Sequence, residues 1–329
     1  MGAFLLMAAL MIVHTMLVLI AVTDPGVRYA ARRRFARLVH RDTAKSWDGV
    51  VSTAVFVESM DALNFDIITG RLRYFQHQLD RPNDTYWQFF FRADESGTCP
   101  SFSMSENATV ISTNPLLEAG NPEKYPINVA RNLARKFGPP HRYLLFADMD
   151  QEYSWGAEEK LRAYATSRKI EENEELLVIR RFEHKTGTKP PRTIRDLRSR
   201  LNKTVFYFHE KYFTLGHRIP NLTEWSQRGE DSMAVVLLQV QAIRRPNKFW
   251  EPMFVAAADI PYHDEALVYQ QKNHLALRWD LCAMGYKFLV VDGVFNTHEG
   301  IKDLQDVGPY RFRSVVSFSH MYPFHQCRV

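Results

Sequence analysis

Two aspartates, Asp148 and Asp150, are the residues of this chain whose type and spacing point most directly to chemistry. They follow an apolar run, Tyr143 to Ala147, that is typical of a buried strand in an α/β sheet. The carboxyl ends of strands are where α/β folds bind ligands. Two carboxylates there can hold Mg²⁺ or Mn²⁺ against a diphosphate, whose charge the metal neutralises. A solvated strand end is the alternative interpretation.

A histidine and a lysine near the end of the chain supply two further candidates. His298 is predicted to lie a few residues past the last buried strand, Tyr286 to Val291. If that strand is close to the earlier one, His298 completes a metal site with Asp148 and Asp150, because neutral imidazole binds Mn²⁺-class metals. Lys302 would then contact a phosphate oxygen. A loop histidine and a surface lysine are the alternative.

The elements that must position these residues alternate between strands and helices. Strands are predicted at Val50–Val57, Phe89–Phe91, Arg142–Ala147, Leu176–Arg180 and Tyr286–Val291, and helices at Val129–Lys136, Glu158–Ala165 and Glu265–Met284. This alternation predicts an α/β domain with a mostly parallel central sheet.

The N-terminus is a long apolar segment. Gly2 to Val22 has no charged side chain and is long enough to cross a bilayer as a helix. We therefore expect a transmembrane signal anchor at 1–22, a stem at 23–46 and a globular body at 47–329. A cleaved signal peptide is the alternative, but no basic segment precedes the apolar run.

Two signals disagree about the orientation of this anchor. Arginines just after the span would keep the body cytosolic under the positive-inside rule; they are Arg28, Arg32, Arg33, Arg34 and Arg37. Four N-glycosylation sequons also follow the span and favour a lumenal body; they begin at Asn83, Asn107, Asn202 and Asn221. The sequons decide our prediction of a lumenal body.

The composition is that of a globular protein with ample core, at 13% aromatic and 24% charged residues. The three cysteines, Cys99, Cys282 and Cys327, are too few for a disulfide framework. One bridge could form in an oxidising lumen, and the sequence does not select the pair. The net charge of +5 fits an acidic ligand or a membrane surface.

The order of motifs along the body resembles glycosyltransferase family 49, the group of LARGE-like enzymes and β-1,4-glucuronyltransferases. The similar segments are Tyr125-Pro126-Ile127-Asn128, Arg131-Asn132-Leu133-Ala134, Asp148-Met149-Asp150, Leu177 to Glu183, Phe208-His209-Glu210 with His217 and Trp225, Trp250-Glu251-Pro252, Asp264-Glu265, and His298-Glu299-Gly300 with Lys302.

The resemblance implies a GT-A type nucleotide-sugar-binding domain with a metal-dependent inverting mechanism. It implies Mn²⁺ or Mg²⁺ as cofactor, UDP-glucuronate as donor, and a single-pass type II protein of the Golgi membrane with a lumenal catalytic domain. The expected partners are the UDP-sugar, a glycan or glycoprotein acceptor, the membrane through the N-terminal helix, and other glycosyltransferases in homo- or hetero-oligomers. No nucleic-acid partner is expected.

The resemblance also assigns residues. Asp148 and Asp150 match the metal and nucleotide motif, and His298 matches the late metal ligand. Three residues of the helix before the aspartates would line the nucleotide pocket, or else pack that helix: Asn128, Arg131 and Asn132. Lys302 would bind the donor phosphate.

The chemistry implied by the resemblance needs one more carboxylate. An inverting transfer requires a general base that takes the proton of the acceptor hydroxyl. Asp264 is the first candidate and Glu265 the second, although carboxylates at a helix start also interact with the helix dipole. A glucuronate donor needs a cation for its carboxylate, and Arg131 is the candidate, with Lys272 and His274 as alternatives.

The chain departs from the family pattern in two places. Gln271 to His274 stand where the family tends to have Gly, an aromatic and Arg around a shared Asn, and the chain stops at Val329 where the family usually continues into a long polar helix. UDP-xylose or UDP-N-acetylglucosamine therefore stay alternative donors. Two other function classes are a catalytically silent lumenal scaffold and a metal-dependent phosphoesterase, although no second metal cluster is evident.

Overall fold

The fold is taken from a computed structural model that describes residues 15–21, 46–57, 84–91, 126–148, 150–211, 213–228, 235–237, 249–267 and 273–302. Several predictions fall outside these ranges: the stem at 23–45, the sequons at Asn83 and Asn107, Gln271 and Lys272, and the C-terminal segment after Lys302.

The described chain alternates strands and helices, as predicted. The strands are β1 (Thr15–Ala21), β2 (Val50–Val57), β3 (Thr85–Phe91), β4 (Tyr143–Asp148), β5 (Gln151–Tyr153), β6 (Glu175–His184), β7 (Val205–Tyr207), β8 (Val235–Leu237), β9 (Met253–Ala257) and β10 (Lys287–Glu299). The helices are α1 (Ile127–Phe137), α2 (Ala157–Arg168), α3 (Ile170–Asn173), α4 (Ile194–Arg200), α5 (Thr214–His217), α6 (Leu222–Gln227) and α7 (Asn273–Ala283).

All ten of these strands join one sheet, in the order β3-β2-β1-β4-β9-β6-β10-β5, with β7 on β6 and β8 on β10. The prediction of an α/β domain is confirmed, but the mostly parallel sheet is corrected to a mixed one. Strand β9 lies antiparallel between β4 and β6, and β5 lies antiparallel to β10. The run Met253–Ala257 that forms β9 was not predicted, because five apolar residues do not by themselves distinguish a strand from a buried helix segment.

The core occupies both faces of the sheet. Helix α1 contacts β1, β2 and β3, and its buried Ala130 and Ala134 join one apolar cluster with Leu144 and Phe146 of β4. On the other face, α2 contacts β10 and β6, and a second cluster forms there around Leu145, Leu161, Leu177 and Leu289. Burial on both faces explains why β4 and β6 read as continuous apolar runs.

Strand β10 is longer than predicted because it contains a bulge. Its register with β6 shifts between Val290 and Phe295, and Gly293 has a φ of 71° that favours glycine. Trp225 Nε1 donates to Val291 O at 2.8 Å and fixes the bulge from α6. The strand therefore continues to Glu299, and His298 lies on the strand rather than in a loop past its end.

The predicted anchor and the structure differ in residues 15–21. These residues form β1, which pairs in parallel with β2 on one side and with β4 on the other. An apolar run of this composition is compatible with a membrane helix and also with a strand in the middle of a sheet. The pairing with β2 and β4 shows that residues 15–21 form a strand. Within the described ranges, no helix has the length and apolar character needed to span a bilayer. Residues 1–14 lie outside those ranges.

The helix predicted at Glu265–Met284 is shorter in the structure. Helix α7 begins at Asn273, and the described residues from Asp264 to Leu267 form a turn. Asp264 and Glu265 are thus in a turn, and the helix start predicted at Glu265 is corrected.

Candidate active site

Asp150 and His298 form the closest contact between predicted site residues. His298 Nε2 lies 2.8 Å from Asp150 Oδ2. Antiparallel pairing of β5 with β10 places them together, since His298 is opposite Gln151, the residue after Asp150. The imidazole is buried, whereas the Asp150 side chain is 41% exposed. The carboxylate is therefore accessible to a ligand from the open side of the pair.

The charges around Asp150 keep its carboxylate ionised. Burial alone would raise the pKa of Asp150, but the charge and hydrogen bond of His298 and the charge of Lys302 outweigh it and hold that pKa well below its usual range. Lys302, which the sequence predicted to contact a phosphate oxygen, thus acts electrostatically on the same carboxylate.

The contacts of the His298 ring indicate which of its two nitrogens carries the proton. His298 Nδ1 is 3.3 Å from Gly300 O, a carbonyl that can only accept, so a hydrogen bond there requires the proton on Nδ1. In the neutral ring, Nε2 then presents a lone pair to the ionised Asp150 oxygen. A cation bound by both atoms would remove that repulsion, and one imidazole nitrogen with one carboxylate oxygen is a donor pair that suits a divalent metal.

The structure does not assemble the full predicted metal set. Asp148 ends β4 and, by strand alternation, lies on the same face as Phe146. No cluster of three His, Cys, Asp or Glu side chains with metal-binding spacing occurs in the described part of the chain. Asp150 and His298 are brought together, and the participation of Asp148 stays a prediction.

A buried carboxylate, Glu183, lies beside this pair and was given no role from the sequence. It is opposite His298 in the parallel register of β6 and β10. Its side chain is fully buried, and only the backbone groups of His209 and Lys302 lie near enough to donate to it among the described residues. Burial raises the pKa of Glu183 to about 6, against the opposing charges of His298 and Lys302. No local pattern indicates this residue, because only the pairing of two distant strands places it here.

Glu183 begins a chain of buried polar groups. His209 Nε2 is 3.7 Å from a Glu183 oxygen, His209 Nδ1 is 3.2 Å from His217 Nε2, and His217 Nδ1 is 3.3 Å from Glu251 O. His209 has a φ of 57°, which is unusual for a residue other than glycine and is often found at functional sites. Phe208 packs against His209 and His298 and so joins this chain to the Asp150 pair.

Helix α1 supplies the three other predicted donor-binding residues, all buried. Asn128 donates to Asp264 O at 2.7 Å, and Asn132 donates to His263 O at 2.9 Å. Arg131 donates to Asn128 Oδ1 at 2.9 Å. The side-chain bonds of Asn128 and Asn132 are thus made to the segment that carries Asp264 and Glu265, in agreement with the helix-packing alternative.

The two candidate general bases lie side by side in this segment and are both exposed. Asp264 Oδ1 accepts from the amide of Ala266 at 2.9 Å, which closes a turn on itself. Glu265 Oε1 accepts from Asn132 Nδ2 at 2.8 Å. The Asp264 carboxylate is therefore held by its own turn, and the Glu265 carboxylate by a side chain of α1.

Cations and imidazoles gather between α1 and α7. His263 is 3% exposed, and within the described ranges neither of its ring nitrogens has a hydrogen-bond partner. Burial, then Arg131 and Arg135, hold the pKa of His263 well below its usual range. Burial, then Arg131 and His263, do the same to the pKa of His274. Both rings are therefore neutral at physiological pH, and Arg131 and Arg135 are the cations that act on them.

Comparison with known proteins assigns the chain to a family. A sequence profile described as "Glycosyl-transferase for dystroglycan" matches residues 29–315, which is most of the chain. The chain belongs to this family. The match includes the Asp150 pair and the segment around Asp264, so the site described above lies within the family domain.

Two groups of curated relatives are similar to part of the chain. Xylosyl- and glucuronyltransferase LARGE1 of Gallus gallus is 28% identical over 177 residues, which cover 53% of this chain and 22% of that protein. Beta-1,4-glucuronyltransferase 1 is 26% identical over 184 residues in Danio rerio (56% and 42% covered) and over 193 residues in Mus musculus (58% and 45%). The matched region spans less than half the length of these relatives.

Solved structures with a similar chain path include GalNAc-T7 with UDP, GalNAc and Mn²⁺, at a TM-score of 0.42 and 9% identity, covering 88% of this chain and 45% of that one. S. aureus TarS 1–349 in complex with UDP-GlcNAc has a TM-score of 0.39 and 13% identity, covering 90% and 61%. At these scores the likeness does not bear on function.

Proposed function

We propose that this chain is a metal-dependent inverting glycosyltransferase with a GT-A type domain, which moves glucuronate from UDP-glucuronate onto a glycan acceptor. Family membership supports glycosyl transfer. The observation that carries the proposal is the Asp150–His298 pair at the edge of the sheet, with Lys302 near it.

In this proposal Asp150 and His298 would hold Mn²⁺ or Mg²⁺, with Asp148 as a further ligand. The bound ion would neutralise the diphosphate of the leaving UDP. Asp150 contributes an ionised oxygen, and the Nδ1 contact of His298 with Gly300 O leaves Nε2 directed at the same place. Lys302 adds a positive charge beside the pair for a phosphate oxygen.

Proton transfer is assigned to the turn after His263. Asp264 or Glu265 takes the proton of the acceptor hydroxyl as its oxygen attacks the anomeric carbon. Both carboxylates are exposed, as a base that meets an incoming acceptor must be. No protein acid is needed for UDP, because the leaving group departs with its own charge neutralised.

Glucuronate is the proposed donor because the region around Arg131 suits a carboxylate. A buried sugar carboxylate must be paired or strongly hydrogen-bonded. Arg131 lies among neutral imidazoles, His263 and His274, and its guanidinium matches a carboxylate well. UDP-xylose and UDP-N-acetylglucosamine are the alternative donors.

We further propose that the domain acts in the Golgi lumen. Cys282 is in a disulfide bond, which fits an oxidising compartment, and the other two cysteines lie outside the described residues. Two sequon asparagines, Asn202 and Asn221, are exposed and lie in left-handed turns. Both are therefore accessible to glycosylation.

The deciding experiment is a donor panel with the purified full chain and an oligosaccharide acceptor mixture. UDP-glucuronate should give the highest turnover, with activity lost in EDTA and restored by Mn²⁺. Faster turnover of UDP-xylose or UDP-N-acetylglucosamine would refute the donor assignment alone. Absence of any transfer, with binding to a partner glycosyltransferase, would favour the silent scaffold. Hydrolysis of simple phosphate esters would favour the phosphoesterase.

A further inference from the structure

We propose that Asn132 is a positioning residue that holds Glu265 as the proton acceptor of the reaction. This inference rests on the proposed inverting transfer and deepens it by selecting one carboxylate and the residue that orients it. In the step considered, the acceptor oxygen bonds to the anomeric carbon, and the bond from that carbon to the diphosphate breaks. The electron pair leaves with UDP, and the hydroxyl proton passes to Glu265.

Asn132 is bonded on three sides to the segment that carries Glu265. Its Oδ1 accepts from His263 N at 3.0 Å, and its Nδ2 donates to His263 O at 2.9 Å and to Glu265 Oε1 at 2.8 Å. The backbone bonds fix the distance between helix and segment, and the side-chain bond fixes the carboxylate. One buried side-chain amide thus fixes both the path of the chain and the direction of the Glu265 carboxylate.

Two neighbours of Asn132 on α1 secure the rest of the segment. Arg135 donates to the carbonyls of Ala258, Ile260 and Pro261, and Asn128 donates to Asp264 O. Positions 128, 132 and 135 lie on one face of a helix. The segment from 258 to 265 is therefore bonded along α1 from its C-terminal to its N-terminal end and cannot rotate freely.

These hydrogen bonds direct the segment toward the end of the sheet at which β4 reaches Asp148. Strand β9, which is antiparallel to β4, ends at Ala257. The hydrogen bonds to α1 then hold the following segment along the helix, in the direction of its N-terminus. The ring of His263 lies 4.5 Å from that of Phe146, at an interplanar angle of 88°. Because Asp148 is two residues after Phe146 on β4, it shares the face on which this segment runs.

The local bonds favour Glu265 over Asp264 for the proton transfer. Asp264 Oδ1 is engaged by the amide of Ala266 within its own turn, so its direction follows the turn. Glu265 is oriented instead by a buried amide of the rigid helix, and it remains exposed to an acceptor. A base fixed by the scaffold loses less entropy in reaching the transition state.

The test compares Asn132→Asp, Glu265→Gln, Asp264→Asn and the exchanged pair Asn132→Asp/Glu265→Gln. Asn132→Asp keeps the acceptor for His263 N but places a like charge against Glu265. Turnover should fall about 10-fold or more, toward the range expected for loss of a general base, while the donor KM and the affinity for UDP change less than about twofold. Asn173→Asp, on exposed α3, is the matched control and should leave turnover unchanged.

The exchanged pair separates positioning from structural support. A Gln at 265 can donate to an Asp at 132, so thermal stability should recover relative to Asn132→Asp while turnover stays as low as in Glu265→Gln alone. If the exchanged pair lost turnover by the product of the factors lost in Asn132→Asp and Glu265→Gln, the inference would be overturned. Full turnover in Glu265→Gln would also overturn it, particularly if Asp264→Asn is inactive. A parent chain that transfers no sugar would instead refute the proposed function.

Discussion

Asp150 and His298 are 148 positions apart in the chain, yet Oδ2 of the one and Nε2 of the other lie 2.8 Å apart. The short strand β5 makes this contact possible, because it turns back from Asp150 and pairs with the end of β10. An exposed carboxylate is thereby held against a buried imidazole.

Asp150→Ala should abolish sugar transfer while leaving the fold intact. The side chain is 41% exposed, so its removal should cost little stability, whereas it removes a proposed metal ligand. We expect turnover to fall by about 100-fold or more. Glu172→Ala, which breaks an exposed ion pair with Lys169, is the control and should behave like the parent. Equal activity of Asp150→Ala, or full activity of the parent in EDTA, would contradict the metal assignment.

Glu183→Gln should stabilise the protein above pH 6. The raised pKa of Glu183, about 6 against 4.5, means that its contribution to stability is present below pH 4.5 and is lost as the pH rises through 6. The charged form therefore costs about 2 kcal/mol at pH 8. Urea denaturation of parent and variant at pH 4.5 and pH 8 should give equal stability at the lower pH and a more stable variant at the higher one. A less stable variant at pH 8 would indicate that the ion pair with His209 dominates.

Arg131→Met should impair UDP-glucuronate far more than UDP-xylose. Removal of a charged hydrogen-bond donor should lower the ratio of the two kcat/KM values by about 10-fold or more. Arg131 is buried, so the substitution can reduce the amount of folded protein. The ratio of the two kcat/KM values within one variant does not depend on that amount. Arg195→Met, at an exposed position of α4, is the control for the same change of residue. An unchanged donor ratio would leave Arg131 with a packing role only.

Asn202 and Asn221 should each carry a glycan when the full chain is expressed in a eukaryotic cell. Both side chains are exposed in turns, where the glycosylation machinery can reach them. Asn202→Gln and Asn221→Gln should each remove one glycosidase-sensitive step in gel mobility, and Asn173→Gln, which is not a sequon, should not. A parent whose mobility does not change on glycosidase treatment would count against a lumenal body.

Local sequence patterns predicted much of the frame around the site. The bounds of β2 agree with the prediction, and α1, β4 and α2 differ by a few residues, because apolar periodicity and clear stop signals define them. Asp150 was identified because it follows such a strand. Asn128, Arg131 and Asn132 were assigned from family resemblance, and the structure shows that Asn128 and Asn132 bond to the segment that carries Asp264 and Glu265.

What the sequence did not predict depends on pairing between distant parts of the chain. Strand β9 inserts between β4 and β6, and no local feature of Met253–Ala257 indicates that position. The bulge at Gly293 carries β10 on to His298, past the end that its apolar run suggested. Glu183 acquires its environment only because it pairs with His298. These features depend on which strands pair and in which register, and the periodicity of a single sequence does not specify that pairing.

The position of β1 also bears on how the protein can be produced. A fragment that starts at residue 23, chosen to remove the apolar N-terminus, would delete the strand that joins β2 and β3 to β4. The exposed backbone of β2 and β4 would then be free to pair with other molecules, and such open strand edges promote aggregation. Poor solubility of that fragment would thus report a missing strand and not an unstable catalytic domain.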